Sequence, residues 1–112
     1  MTGCSDENCC KIDLNPIIEK MPKDDEIYDD SEMIKALADP TRLKIVYLLS
    51  EVVELCVCQI LETLNKSQST LSHHLNILKK AKILKWTKKG QWIYYSLNNP
   101  EMVKGLNLLL MK

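Results

Sequence analysis

The chain has 112 residues, 46% of them hydrophobic and 5% aromatic with no Phe, which allows one domain with a modest core packed from Leu, Ile, Val, Ala and Met. Its formal net charge is zero, yet nine acids face three lysines through Asp30, while Lys66 to Gly90 holds seven lysines and no acid. No apolar run approaches the roughly 20 residues that span a bilayer, and the acidic start MTGCSDENCCKIDLNP is the opposite of a signal peptide.

These features predict a cytoplasmic protein with no membrane association and with reduced thiols. Five cysteines cannot all pair within one chain, which argues against a disulfide framework. The lysine-rich segment suits a polyanion, or else is a solvated face.

Residues 1–30 carry Cys4, Cys9, Cys10, two prolines and the acidic run, and read as a flexible arm. Within it, Asn15 to Met21 predicts a short helix capped by Asn15 with Pro16 in the first turn. Residues 31–112 read as the folded domain. Ser31 is the expected cap of a helix with Met33, Ile34, Leu37 and Ala38 as its apolar stripe. Asp39-Pro40 breaks that helix, since a residue before proline avoids helical angles. A second begins at Pro40, with Leu43, Val46, Tyr47 and Leu49 at helical spacing.

Glu54-Leu55 is expected to be extended, and Cys56 to Leu64 forms a third helix ending in a turn at Asn65. Ser67 caps the next helix, which buries Leu71, Leu75 and Leu78. Beyond Ala81 the period changes to two. Ile83 to Thr87 and Trp92 to Leu97 are strands around a Lys88 to Gln91 turn. Trp86, Trp92, Tyr94 and Tyr95 alternate along them and are assigned to hairpin packing, with base stacking as the lesser alternative. Pro100 opens a final helix with Met102, Leu106, Leu109 and Leu110 apolar. Four helices, a hairpin wing and a last helix make a mostly α, α+β winged helix-turn-helix domain.

In this motif the second helix of the pair reads bases in the major groove near its N-terminal end. Gln68 can pair with adenine, and Ser69 and Thr70 suit bases or phosphates. Lys66, Lys79 and Lys80 flank the helix, while Lys88 and Lys89 tip the wing.

The segments LADPTRLKIVYLLS, ELCVCQI, STLSHHLNILKKAKIL and KKGQWIYYSL, in this order, resemble the ArsR/SmtB family of metal-sensing repressors from about Ser31 to Leu97. The resemblance implies a homodimer joined through its first and last helices on an inverted repeat of double-stranded DNA. It also implies a recognition helix from Ser67 to Lys80 and release of DNA when inducer binds. Ser67, Ser72 and His73 then join the expected DNA contacts, whereas His74 is assigned to packing or a hydrogen bond.

Cys56 and Cys58 are two apart, which on a regular helix turns them about 200° from one another. An unwound first turn, with Cys56 still extended, lets them share one ion. Soft metals choose sulfur, and zinc or cadmium takes about four ligands. Cys4, Cys9 and Cys10 are the available source of the rest. The resemblance implies that the Cys56–Cys58 pair takes Cd(II), Pb(II), As(III) or a related ion such as Zn(II).

Departures from the family pattern narrow this choice. The arsenic sensors' third cysteine, three residues after the second, is here Leu61. The last helix lacks the histidines of the zinc sensors, and an N-terminal cysteine extension resembles the cadmium/lead branch. Gln59 replaces the usual acid after the second cysteine. A thiol-redox repressor on the same fold is the first alternative, and a cysteine-rich metal-scavenging protein without DNA preference is the second. No nucleophile–base pair or phosphate loop suggests an enzyme.

Overall fold

The computed structural model describes residues 11–112. In chain order the elements are α1 (Asn15–Lys20), α2 (Asp24–Leu37), α3 (Pro40–Ser50), β1 (Leu55–Cys56), α4 (Val57–Leu64), α5 (Gln68–Lys80), β2 (Leu84–Lys89), β3 (Trp92–Leu97) and α6 (Met102–Leu109). This is the winged helix-turn-helix order, mostly helical, with a small sheet.

The first difference from expectation lies in the acidic run. α2 starts at Asp24, not Ser31, so the acidic run Asp24–Asp30 is helical and the 30/31 boundary falls inside α2. Asp24, Asp25 and Glu26 occupy its first turn, where carboxylates meet the positive end of the helix dipole. Ser31 is no cap: its hydroxyl donates to the Tyr28 carbonyl at 2.8 Å within the helix. Nor does Asn15 cap α1 with its side chain; instead Asp13 accepts from the Asn15 amide at 3.1 Å.

The expected stripe of α2 is also displaced. Only Ala36 is buried, while Ile34 is 62% exposed and Met33 faces solvent as well. Asp39 is extended (φ −152°, ψ 134°) and caps α3 by accepting from the Arg42 amide at 3.1 Å, with Pro40 in the first turn. α3 buries Ile45, Val46 and Leu49; Leu43 and Tyr47 are half-buried. Ile45 escaped the spacing argument because α3 is apolar nearly all round, and no stripe then selects one face.

α4 and α5 meet at Asn65, which adopts the left-handed conformation (φ 51°, ψ 47°) that Asn tolerates at a helix end. Leu71, Leu75 and Leu78 are buried as the spacing predicts, against Ile60, Ile83, Leu84 and Leu97. The sheet is antiparallel, in the order β1-β3-β2. Lys89 pairs with Trp92, so the turn is only Gly90-Gln91, and Lys88 and Lys89 belong to β2. Gly90 takes φ +64°, the conformation a tight hairpin demands at its first turn residue.

Met102, Val103 and Leu106 of α6 pack on the core, whereas Leu109 is 72% exposed and Leu110 also faces outward. Among the described residues no helix is long and apolar enough to cross a membrane.

Candidate functional site

α5 presents the expected reading face. Gln68, Ser69, Thr70, Ser72, His73 and Asn76 are exposed, because the leucines at 71, 75 and 78 anchor the opposite side. Ser67 and Thr70 are partly engaged with each other. The Ser67 hydroxyl accepts from the Thr70 amide at 3.2 Å and donates to its hydroxyl at 2.8 Å. Ser67 is therefore first a cap that fixes where α5 starts. Gln68, Ser72 and His73 make no side-chain hydrogen bond within the described residues and are free to face a groove.

Lysines surround this face in unequal states. Lys66 precedes α5 and is exposed. Lys79 lies over the Trp86 ring, 5.4 Å from its centre, which stations one cation between helix and wing. Lys80 is exposed at the helix end, where a cation complements the negative pole. Lys88 is exposed on the wing. Lys89 is tied back, forming an ion pair with Glu54 and lying 5.2 Å from the centre of the Tyr94 ring. A shallow depression of about 450 Å³ between Ser69, Ser72, His73, Asn76, Lys79 and Tyr95 joins the reading face to the wing.

His74 turns away from that face and is half-buried. Its Nδ1 lies 3.2 Å from Arg42 Nη1 and 3.8 Å from Asp39 Oδ2. Burial pushes its pKa below the usual imidazole value, with the Arg42 charge adding to the effect and Asp39 opposing it. The Arg42 amide bond and guanidinium hold the Asp39 carboxyl below its ordinary range. Sequence reasoning assigns His74 to packing or a hydrogen bond without naming Arg42 or Asp39 as its neighbours; an Asp before Pro signals a helix cap as well as a break, and Asp39 serves as both.

The thiol pair stands at the start of α4. Cys56 is the last residue of β1 and the cap of α4, extended at φ −81° and ψ 163°, half-buried and paired with Tyr94 across the sheet. Cys58 is exposed in the first helical turn. The two side chains thus leave a strand end and a helix start, so the roughly 200° divergence of a regular helix does not apply to them. Gln59 secures this junction. Its Oε1 accepts from the Cys56 amide at 2.9 Å, locking the cap residue's backbone without adding a negative charge. The three-residue spacing is the signal that could have revealed this reciprocal cap from the sequence.

Among the described residues no group of three Cys, His, Asp or Glu side chains converges to hold a metal ion. Two thiols are fewer than the roughly four ligands that a tetrahedral thiophilic ion takes. Cys4, Cys9 and Cys10 lie outside the described residues.

Comparison with known proteins follows the same lines. Residues 39–85 match the model of the bacterial regulatory protein arsR family. An uncharacterised HTH-type transcriptional regulator of Methanocaldococcus jannaschii is 55% identical over 65 residues, covering 58% of this chain and 73% of that one.

The chain belongs to the ArsR family.

Its members are DNA-binding transcriptional regulators and not enzymes. A second relative, the cadmium resistance transcriptional regulatory protein CadC homolog of Staphylococcus aureus, is 47% identical over 78 residues; the match covers 70% of this chain and 64% of the relative. The crystal structure of the transcriptional repressor PagR of Bacillus anthracis superposes with a TM-score of 0.67 at 43% identity, covering 79% of this chain and 99% of that one.

Proposed function

We propose that this ArsR-family regulator is a cytoplasmic repressor that holds an inverted-repeat operator as a homodimer and releases it when a thiophilic metal ion binds cysteine thiolates. The observation that carries the reading is the position of Cys56 and Cys58. They stand on the helix that leads into the recognition helix, one at its cap and one in its first turn.

DNA contact is assigned to Gln68, Ser69, Thr70, Ser72 and His73 for bases or nearby phosphates, with Ser67 as cap and neighbour, and to Lys66, Lys88 and Lys89 for phosphates. Of these, Lys89 contributes least, because Glu54 already offsets its charge. The homodimer reading is supported by apolar side chains left outward on two elements, Ile27, Met33 and Ile34 on α2 and Leu108 and Leu109 on α6.

Cys56 and Cys58 would supply two ligands and Cys4, Cys9 or Cys10 the others. Cadmium and lead suit this thiolate set best; arsenic(III) and zinc remain within its chemistry. The name of the staphylococcal relative supports cadmium. Bound metal would tie the cysteine-bearing N-terminal segment to the start of α4, beside the helix-turn-helix, and a coupling of about 1–3 kcal/mol is ordinary for such a switch. The test is operator binding under Cd²⁺ titration, for the wild type and Cys56→Ser. Release by Cd²⁺ from the wild type and not from the variant is expected. Equal release from both refutes the thiol's role, and release only by peroxide, reversed by dithiothreitol, replaces the metal with redox sensing.

A further inference from the structure

One side chain joins three helices in this molecule. Arg42 on α3 donates its Nε–H to the Ala36 carbonyl at 2.6 Å, one of the last-turn carbonyls of α2 that lack an intrahelical partner. The same guanidinium reaches His74 on α5 at 3.2 Å. α2 carries the outward apolar face, and α5 carries the reading face. Arg42 and His74 therefore form the polar link between the surface that would set dimer geometry and the helix that reads DNA.

The chemistry of the link fixes a protonation state. Arginine has only donors, so Nδ1 of His74 must accept, and the ring proton sits on Nε2. A protonated ring has no acceptor to offer. It would place a second cation against Arg42, and its Nδ1–H would turn to Asp39 Oδ2, which already caps α3 through the Arg42 amide. The charges around the ring are Asp39 and Arg42 from α3, Lys66 before α5 and His73 on α5 itself. From α2, Glu32 and Lys35 line the groove that Arg42 shares, and they are paired with each other at 3.2 Å.

We propose that the Arg42–His74 contact is a positioning strut for the recognition helix that works only while His74 is neutral, so that operator affinity falls on acidification without any metal. This rests on the DNA-binding reading of α5. A homodimer must place two recognition helices in successive turns of the major groove, so a small rotation of α5 is felt at both half-sites. The sign is fixed by the depressed imidazole pKa. The strut is intact at neutral pH and is lost only as pH falls through the lowered pKa of His74, beneath the ordinary histidine value of 6.5.

The test uses the metal-free full chain and a duplex that the wild-type protein selects from a random-sequence library. Affinity is measured between about pH 7.5 and about pH 5.5, across the range where histidines titrate. The wild type is expected to lose about tenfold, within the usual span of such couplings. His74→Asn keeps an acceptor near the place of Nδ1, cannot be protonated, and is expected to show a flat or rising profile. His74→Leu is expected to bind weakly throughout. Since all three keep His73, their differences isolate residue 74.

Identical profiles for the wild type and His74→Asn overturn the proposal, as does His74→Leu binding like the wild type at neutral pH. Long-range nitrogen–proton NMR of the free protein decides independently of DNA: an unprotonated Nδ1 at neutral pH is expected, and a protonated one overturns the strut. Failure to select any duplex refutes the DNA reading instead, and the NMR result still judges the strut.

Discussion

The reading helix and the thiol pair are 10 residues apart in sequence, from Cys58 to Gln68, yet they present opposite kinds of site. α5 is complete on one element. Its cap, its buried leucines and its polar face follow from a single helical period between Ser67 and Lys80. The start of α4 carries two thiols at a strand–helix junction, proposed above as half of a metal site whose remaining ligands, Cys4, Cys9 or Cys10, come from the N-terminal segment. A contiguous surface is specified by local geometry. A coordination shell assembled from distant segments is specified by where the chain returns, which local geometry does not supply.

That contrast predicts separable failures, and the largest belongs to the half-site. Cys58→Ser should weaken cadmium binding by several kcal/mol, because loss of a thiolate from a set of about four removes a principal bond. Metal titration by thiolate charge-transfer absorbance would measure it. Operator affinity of the metal-free protein should be unchanged, and a parallel loss of DNA binding would break the separation.

Leu71→Ala acts beneath the reading face alone. Leu71 is fully buried beneath the reading face, so its truncation should cost about 2–5 kcal/mol of stability in a denaturant melt. Gln68→Ala, next in size, should lose about 1–3 kcal/mol of operator affinity and relax preference at one base pair while leaving cadmium affinity alone. A uniform loss across all sequences would move Gln68 from base reading to phosphate contact.

Ser67→Ala should lower thermal stability by about 1 kcal/mol, as the loss of a helix cap does. The finest test separates two neighbouring lysines. Lys88→Ala should reduce the salt dependence of DNA binding by about one charge. Lys89→Ala should change it less, since the Glu54 carboxylate already neutralises that ammonium. Equal slopes for the two variants would show that the ion pair opens on DNA.

Where sequence and structure part, a tertiary or capping effect intervenes. Ser31 resembles a helix start because a cap-forming residue precedes an apolar stripe at helical spacing, but three carboxylates at Asp24, Asp25 and Glu26 stabilise an earlier one. Composition places the wing turn at Lys88 to Gln91, whereas Gly90 at φ +64° closes the hairpin in two residues and leaves both lysines in the strand. Helical spacing puts Met33 and Ile34 in the core, but α2 packs through Ala36 and leaves them outside in the single chain.

The sequence by itself determined the order of elements, the recognition helix with its buried leucines, the wing, and the family, because each is written in local period, caps and turn residues. The folded chain alone shows that Arg42 links α2 to His74, that Glu54 holds Lys89, and that Cys56 is paired to Tyr94. These contacts join residues 6 to 38 positions apart, and no periodicity encodes which distant residue a folded backbone will bring alongside.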